Sequence, residues 1–198
     1  MKRLENKVAI ITGAGKGIGK ETALMLAEDG AIIIAVSRTK GDLDQVIAEV
    51  RALESDGLAI PADLTDSAQV QQMVDIVMEA YGHIDILVNN AGGYPKEIYN
   101  NIEHQAIRFW EWSEEQWDQI IKTNLKTTFL CLNKVIPVMI EQRSGDIVNI
   151  SSRMGRIASQ MGGYAVAKGG IVTMTKTCGI QLAEYGIKVN CVAPGIVD

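Results

Sequence analysis

The sequence predicts a single domain built on a doubly wound, parallel α/β sheet, and three observations predict it. Short β-branched runs recur at Val8–Ile11, Ile32–Val36, Leu58–Ile60, Ile84–Val88, Ile147–Ile150 and Lys188–Val192, which read as strands. Stretches with helical periodicity fill the gaps between them. The runs are apolar almost throughout, as strands covered on both faces are, and β-α-β alternation then requires right-handed crossovers. A length of 198 residues suits one domain, and no repeat, low-complexity tract or polar linker divides residues 1–198.

The first strand, Val8–Ile11, runs into Thr12-Gly13-Ala14-Gly15-Lys16-Gly17-Ile18-Gly19 and then into a helical pattern from Glu21 to Glu28. Here the backbone must turn sharply, approach a ligand closely and start a helix. Glycines permit all three, and the free N–H groups of a helix N-terminus attract a pyrophosphate. The spacing is neither G-x-G-x-x-G, because Ile18 stands where a third glycine is required, nor a Walker P-loop, because Ala14 and Glu21 break that pattern. What remains is T-G-x-x-x-G-x-G.

The middle of the chain combines a helix start with an aperiodic stretch. Ser113 and Gln116 form a capping box that opens a helix running through Ile120 towards Met139, with Pro137 ending or bending its last turns. Residues 93–112 before it lack a period and, with their flank, hold Tyr94, Tyr99, Phe109, Trp110, Trp112 and Trp117. A loop at a strand's carboxyl end in such a sheet lies where ligands bind, so this segment is a candidate wall of an apolar substrate pocket; Trp117, at helical spacing, is assigned to the core.

Tyr164-Ala165-Val166-Ala167-Lys168 is the most informative pentapeptide. Residues four apart on a helix share a face, so a phenol and an ammonium converge on one point. Tyrosine ionises near a pKa of about 10, and a neighbouring positive charge favours its phenolate.

Together these motifs resemble the short-chain dehydrogenase/reductase family, over essentially all 198 residues. In that family's register Asp63-Leu64 resembles the adenine-contacting position, Asn89-Asn90-Ala91-Gly92 the turn after the fourth strand, and Pro194-Gly195 the turn beside the nicotinamide. Ser152, at the end of Ile147–Ile150, resembles the substrate-polarising serine; it lies twelve residues before Tyr164, one fewer than the commonest family spacing, and Ser151 is the second candidate. Asn124 resembles the helix asparagine that holds a water leading to the lysine. The resemblance implies a Rossmann-type sheet and a hydride transfer between a nicotinamide cofactor and a carbonyl or secondary alcohol. By the same resemblance Ser152 is expected to polarise the carbonyl, Tyr164 to be the acid/base, Lys168 to lower the Tyr164 pKa and bind the nicotinamide ribose, and Asn124 to relay protons through water.

NADP(H) is expected over NAD(H). The second strand ends in Ser37-Arg38 where an NAD-binding chain carries an acid about twenty positions past the glycines, and Arg38 and Lys16 both offer charge to a 2′-phosphate. The dinucleotide site is thus expected at Gly13, Gly15, Lys16, Gly17, Ile18, Gly19, Ser37, Arg38, Asp63, Leu64, Asn90, Ala91, Gly92, Tyr164, Lys168, Pro194 and Gly195.

The remaining expectations are coarser. Nineteen basic against twenty-four acidic side chains give a net charge of −5 without a Lys/Arg run, which points away from nucleic acid and anionic membranes and towards a small-molecule partner. No secretory leader or membrane-length run is seen, so a cytoplasmic protein is expected. Cys131, Cys178 and Cys191 form neither a disulfide framework nor a zinc site and read as buried thiols, and His104 reads as a solvated loop residue. A 3-oxoacyl carrier-protein reductase shares the catalytic set, but the positions where that subgroup carries basic docking residues read Leu130 and Tyr185. An enoyl reductase spaces its Tyr and Lys more widely, and Ile171 occupies the corresponding place. An NADP-sensing regulatory protein is the alternative of another class. By resemblance, subunits are expected to pair through helices spanning Ser113–Gln142 and Tyr164–Tyr185 into a homodimer or homotetramer, and a seventh strand and last helix are expected beyond Asp198.

Overall fold

The computed structural model describes residues 2–94, 108–157, 159 and 161–196. Six strands, β1 (Val8–Thr12), β2 (Ile32–Ser37), β3 (Gly57–Pro61), β4 (Ile86–Asn89), β5 (Gly145–Ile150) and β6 (Ile187–Val192), form one sheet. Their order is β3-β2-β1-β4-β5-β6 and every pairing is parallel. The chain therefore builds outward from β1 in one direction, returns, and builds outward in the other. The reversal between β1 and β4 opens a crevice at the strands' carboxyl ends, where such sheets bind ligands.

The helices are α1 (Gly17–Glu28), α2 (Lys40–Ala52), α3 (Ser67–Tyr81), α4 (Glu114–Ile121), α5 (Thr127–Gln142) and α6 (Gly162–Leu182). Because successive strand residues point to opposite faces, β1 sends Val8 and Ile10 to one core and Ala9 and Ile11 to another. The first core packs against Val70, Met73 and Val77 of α3 and Leu132, Val135 and Met139 of α5; the second packs against Ala23 and Ala27 of α1 and Leu43, Val46 and Val50 of α2. Alanines on α1 let that helix lie close to the sheet and set its N-terminus over the crevice.

Three local expectations are corrected. The helix opened by the Ser113–Gln116 box does form, with Gln116 N–H donating to Ser113 Oγ at 3.2 Å and Ser113 N–H to Gln116 Oε1 at 3.1 Å. A π-helical turn at Lys122–Lys126 joins α4 to α5 without a break, so the helical run towards Met139 forms with one widened turn inside it. Pro137 does not end α5, which continues to Gln142 and stops where Arg143 adopts a left-handed conformation. Trp117 is half-buried, edge-on to Phe109 with ring centroids 6.0 Å apart, and Trp112 takes the place beside buried Ile120 and Ala167. The expectation of strands covered on both faces holds for β1 and fails for β6, where burial alternates and Val192 is exposed.

Candidate active site

The phosphate-type turn is shaped by close packing. Gly13 has φ +65° and Gly17 φ +52°, both left-handed conformations that favour glycine. At Gly19 a Cβ would meet the Gly13 carbonyl and the Asn90 side chain, so only a bare Cα lets α1 start this close to β1. Thr12 and Asn90 tie the turn to the end of β4: Thr12 Oγ1 accepts from the N–H groups of Asn90 and Ala91 at 2.9 and 3.0 Å, and Asn90 Nδ2 donates to the carbonyls of Thr12 and Gly13. No side chain caps α1, and its first turn carries no acid. Its N-terminal N–H groups and dipole are therefore left without a cap from the helix itself, which fits a bound pyrophosphate.

Opposite this turn, α6 and the end of β5 bring the catalytic candidates together. A cavity of about 240 Å³ is lined by Ile18, Gly92, Ser152, Tyr164, Lys168 and Pro194, among others. The two serines separate cleanly. Ser151 is buried and donates to the Lys168 carbonyl at 2.7 Å, fastening α6 to the strand. Ser152 is half-buried, accepts from Met154 N–H at 3.2 Å, and hydrogen-bonds Tyr164 in the sense that favours the phenolate. Ser152 is thus the serine that faces the phenol.

Lys168 is 4 % exposed, its Nζ donating to the Ile150 carbonyl at 3.0 Å and lying 5.7 Å from the centre of the Tyr164 ring. Burial pulls the Lys168 ammonium down to about 8. The expectation that Lys168 lowers the Tyr164 pKa is not what dominates: burial pushes that phenol above its usual value, and only the Ser152 hydrogen bond opposes it. The cause is the loss of water around the half-buried ring, which makes the charged phenolate costly.

Asn124 is fully buried at the π turn. Its Oδ1 accepts from Gly93 N–H at 2.8 Å and its Nδ2 donates to the carbonyls of Gly93 at 2.9 Å and Ile120 at 3.1 Å. Both ends of the amide are engaged, so the side chain clamps the Gly92–Gly93 backbone beside Lys168. A second polar chain braces the sheet beneath: Asn89 donates to Asn149, which donates to Thr175, each at 2.9 Å.

On the adenosine side, Arg38 is exposed and Ser37 half-buried at the end of β2. Asp63 is held below the usual carboxylate range, chiefly by Thr65 N–H, with the charge of Arg38 contributing. Leu64 is a core residue, 5 % exposed, which leaves only its backbone to a ligand. Lys16 is not free, because its Nζ pairs with Asp42 at 3.2 Å beside Gly15 and Ser37. Asp42 was invisible to sequence reasoning, since an acid in a helix's first turn is ordinary.

Of the aromatic stretch, Tyr94 packs into the site, while Phe109 and Trp110 are exposed. Tyr99, His104 and the rest of residues 95–107 lie outside the described residues. A larger cavity of about 310 Å³ sits at the β3 edge against α3, lined by residues such as Leu58, Gln69 and Met73, and carries no titratable group. Among the described residues Cys131 is buried, and Cys178 and Cys191 are half-buried free thiols. No helix there is long and apolar enough to cross a membrane, and no group of three or more His, Cys, Asp or Glu could hold a metal.

Comparison with known proteins agrees with this geometry. The family model for short chain dehydrogenase matches residues 7–198. A 3-oxoacyl-[acyl-carrier-protein] reductase of Thermotoga maritima is 41 % identical over 197 residues, covering 99 % of this chain and 76 % of that protein. Among solved structures, NAD⁺-bound xylitol dehydrogenase superposes with a TM-score of 0.90 at 32 % identity, covering 98 % of this chain and 72 % of the other. Levodione reductase does so with 0.88 at 35 % identity and the same coverage. On sequence, fold and site together, the chain belongs to the short-chain dehydrogenase/reductase family of nicotinamide-dependent oxidoreductases.

Proposed function

We propose that this oxidoreductase moves a hydride between NADP(H) and a carbonyl or secondary-alcohol carbon of a small molecule. The observation that carries the reading is the single cavity in which Ser152, Tyr164 and Lys168 meet beside Ile18 of the glycine turn. When bound, the nicotinamide supplies or accepts the hydride. In the reducing direction the Ser152 hydroxyl donates to the carbonyl oxygen and orients it, and the Tyr164 phenol delivers the proton. Burial keeps that phenol protonated until it is needed. Lys168 holds a buried positive charge and can donate to the nicotinamide ribose hydroxyls. Asn124 fixes the Gly92–Gly93 wall against which the cofactor lies.

NADP(H) is preferred because Arg38 and Lys16 flank the end of β2, and Asp42 tempers that preference by holding Lys16. With a ketone panel, kcat/KM for NADPH is expected to exceed that for NADH by about tenfold or more. Asp42→Asn is expected to widen the ratio about two- to fivefold, since exposed ion pairs are weak. Equal or better use of NADH by the wild type would overturn the cofactor assignment.

The reaction should also report Lys168. As pH rises, Lys168 loses its proton near 8, before the raised Tyr164 ionises. In the reducing direction kcat/KM, which reflects the free enzyme, is therefore expected to fall about tenfold per unit above that point. A profile flat to pH 10 would remove the Lys168 charge from the step.

A second reading, reduction of a 3-oxoacyl group on a carrier protein, is favoured by the Thermotoga relative. The sequence argument against it weakens in the structure. Leu130 is a core residue unable to dock anything, and Arg143 lies over the Tyr185 ring at 5.9 Å, placing a cation at that surface. Adding a 3-oxoacyl thioester to the panel separates the readings. The same proposal takes the protein as a cytoplasmic homo-oligomer pairing through α5 and α6, whose Phe129, Val166 and Ile180 are exposed.

A further inference from the structure

Tyr94 stacks on Tyr164, with ring centroids 5.1 Å apart and planes inclined by 28°. Its hydroxyl donates to the Met161 carbonyl at 3.1 Å. That carbonyl is the one that Tyr164 N–H and Ala165 N–H also reach, at 3.0 and 3.4 Å, as α6 begins. Met161 offers no side-chain cap of its own. The residue before Tyr94 is fixed as well, since Gly93 is held at both its N–H and its carbonyl by Asn124. A closed circuit therefore runs from Asn124 through Gly93 and Tyr94 to Met161 and the first turn of the helix that carries Tyr164.

We propose that Tyr94 is a positioning residue for proton transfer, its ring fixing the tilt and solvent exposure of the Tyr164 phenol and its hydroxyl pinning the helix turn beneath it. The inference rests on the assignment of Tyr164 as the proton donor. Two physical effects follow. A ring lying flat on Tyr164 blocks rotation about its side-chain bonds, and a misplacement of about 1 Å at a reacting atom costs roughly 10²-fold in rate. The same ring excludes water from one face of the phenol, and desolvation disfavours the phenolate. Tyr94 does not compete for the proton step, because burial, with the proximity of Tyr164, pushes its own phenol up to about 12. The other groups acting on the phenol are Lys168, 5.7 Å from the ring, and Ser152.

The test is the pH profile of kcat for alcohol oxidation, in which the phenolate is the active form and the rate rises with pH. In Tyr94→Leu water reaches the phenol, so the rising limb is expected to move about one unit towards acid, with the plateau about 10- to 100-fold lower. NADPH affinity, followed by fluorescence titration, is expected to stay within about twofold, because Tyr94 does not line the dinucleotide turn. Tyr94→Phe keeps the stack but loses the bond to the Met161 carbonyl, so its limb is expected at the wild-type position with a plateau between those of wild type and Tyr94→Leu. A Tyr94→Leu profile that matches wild type, or a Tyr94→Phe limb displaced as far as that of Tyr94→Leu, overturns the proposal. If Tyr94→Leu does not fold, Tyr94→Met and Tyr94→Phe decide: a limb moved towards acid in Tyr94→Met and unmoved in Tyr94→Phe supports the stacked ring as the determinant, and wild-type limbs in both overturn it. Near-normal turnover in Tyr164→Phe would instead remove the underlying assignment, whatever Tyr94 does.

Discussion

Tyr164→Phe is expected to lower kcat by about 10²- to 10⁴-fold in both directions, while NADPH still binds within about threefold of wild type. The substitution deletes one hydroxyl and leaves the ring where it is, stacked on Tyr94 and packed with Ile120 and Ala167. Tyr164 lies on α6 and not in the glycine turn, so the proposed dinucleotide site at that turn is left intact. Steady-state kinetics on the best ketone and alcohol of the panel, with a fluorescence titration of NADPH, give both numbers. Near-normal turnover would show that the proton comes from elsewhere and would undo the mechanism proposed above.

Gly19→Ala is expected to damage both the fold and cofactor binding. Its new Cβ runs into the Gly13 carbonyl, which belongs to backbone, and into the Asn90 side chain that bonds the same carbonyl. Neither obstacle can swing aside, so the start of α1 must move off β1. The cost is that of an overpacked core, about 1–3 kcal/mol, or roughly 2–12 °C in Tm, and NADPH affinity is expected to fall by about tenfold or more because the proposed phosphate-binding N–H groups move with the helix. Gly17→Ala provides the contrast. That glycine has φ +52° but nothing within 4 Å of an added methyl, so backbone strain of about 1–2 kcal/mol is the whole expected effect. Differential scanning calorimetry of the two variants distinguishes collision from strain; equal Tm losses with equal affinity losses would mean that close packing at Gly19 is not what shapes the turn.

Much of this architecture was legible because it depends on short-range chemistry. All six strands were found within a few residues, since β-branched apolar runs bounded by turns leave little alternative. The Ser113 capping box is likewise written locally and formed as read. Tyr164 and Lys168 were legible because a four-residue helical spacing converts directly into a shared face. What stayed hidden depends on partners far away in the chain. Whether Ser151 or Ser152 faces the phenol is decided by the Lys168 carbonyl, seventeen residues on, capturing the first of them. The capture of Lys16 by Asp42 and the stacking of Tyr94 on Tyr164 require the sheet to bring α2 and the β4 turn into place. The π turn leaves no signature in residue type, and the Asn124 it carries finds its partner Gly93 thirty-one residues back in the chain.

That widened turn has a mechanical meaning for the pair of helices it joins. A residue added to or taken from a helix rotates everything beyond it by about 100°, and the surplus wound into Lys122–Lys126 lets one rod face two directions. Ahead of it, Ile120 points at the root of α6; behind it, Leu132, Val135 and Met139 point at the sheet. Deleting a single residue there to restore uniform winding would force a choice between those two seats, so the irregularity works as a phase corrector between the catalytic wall and the hydrophobic floor.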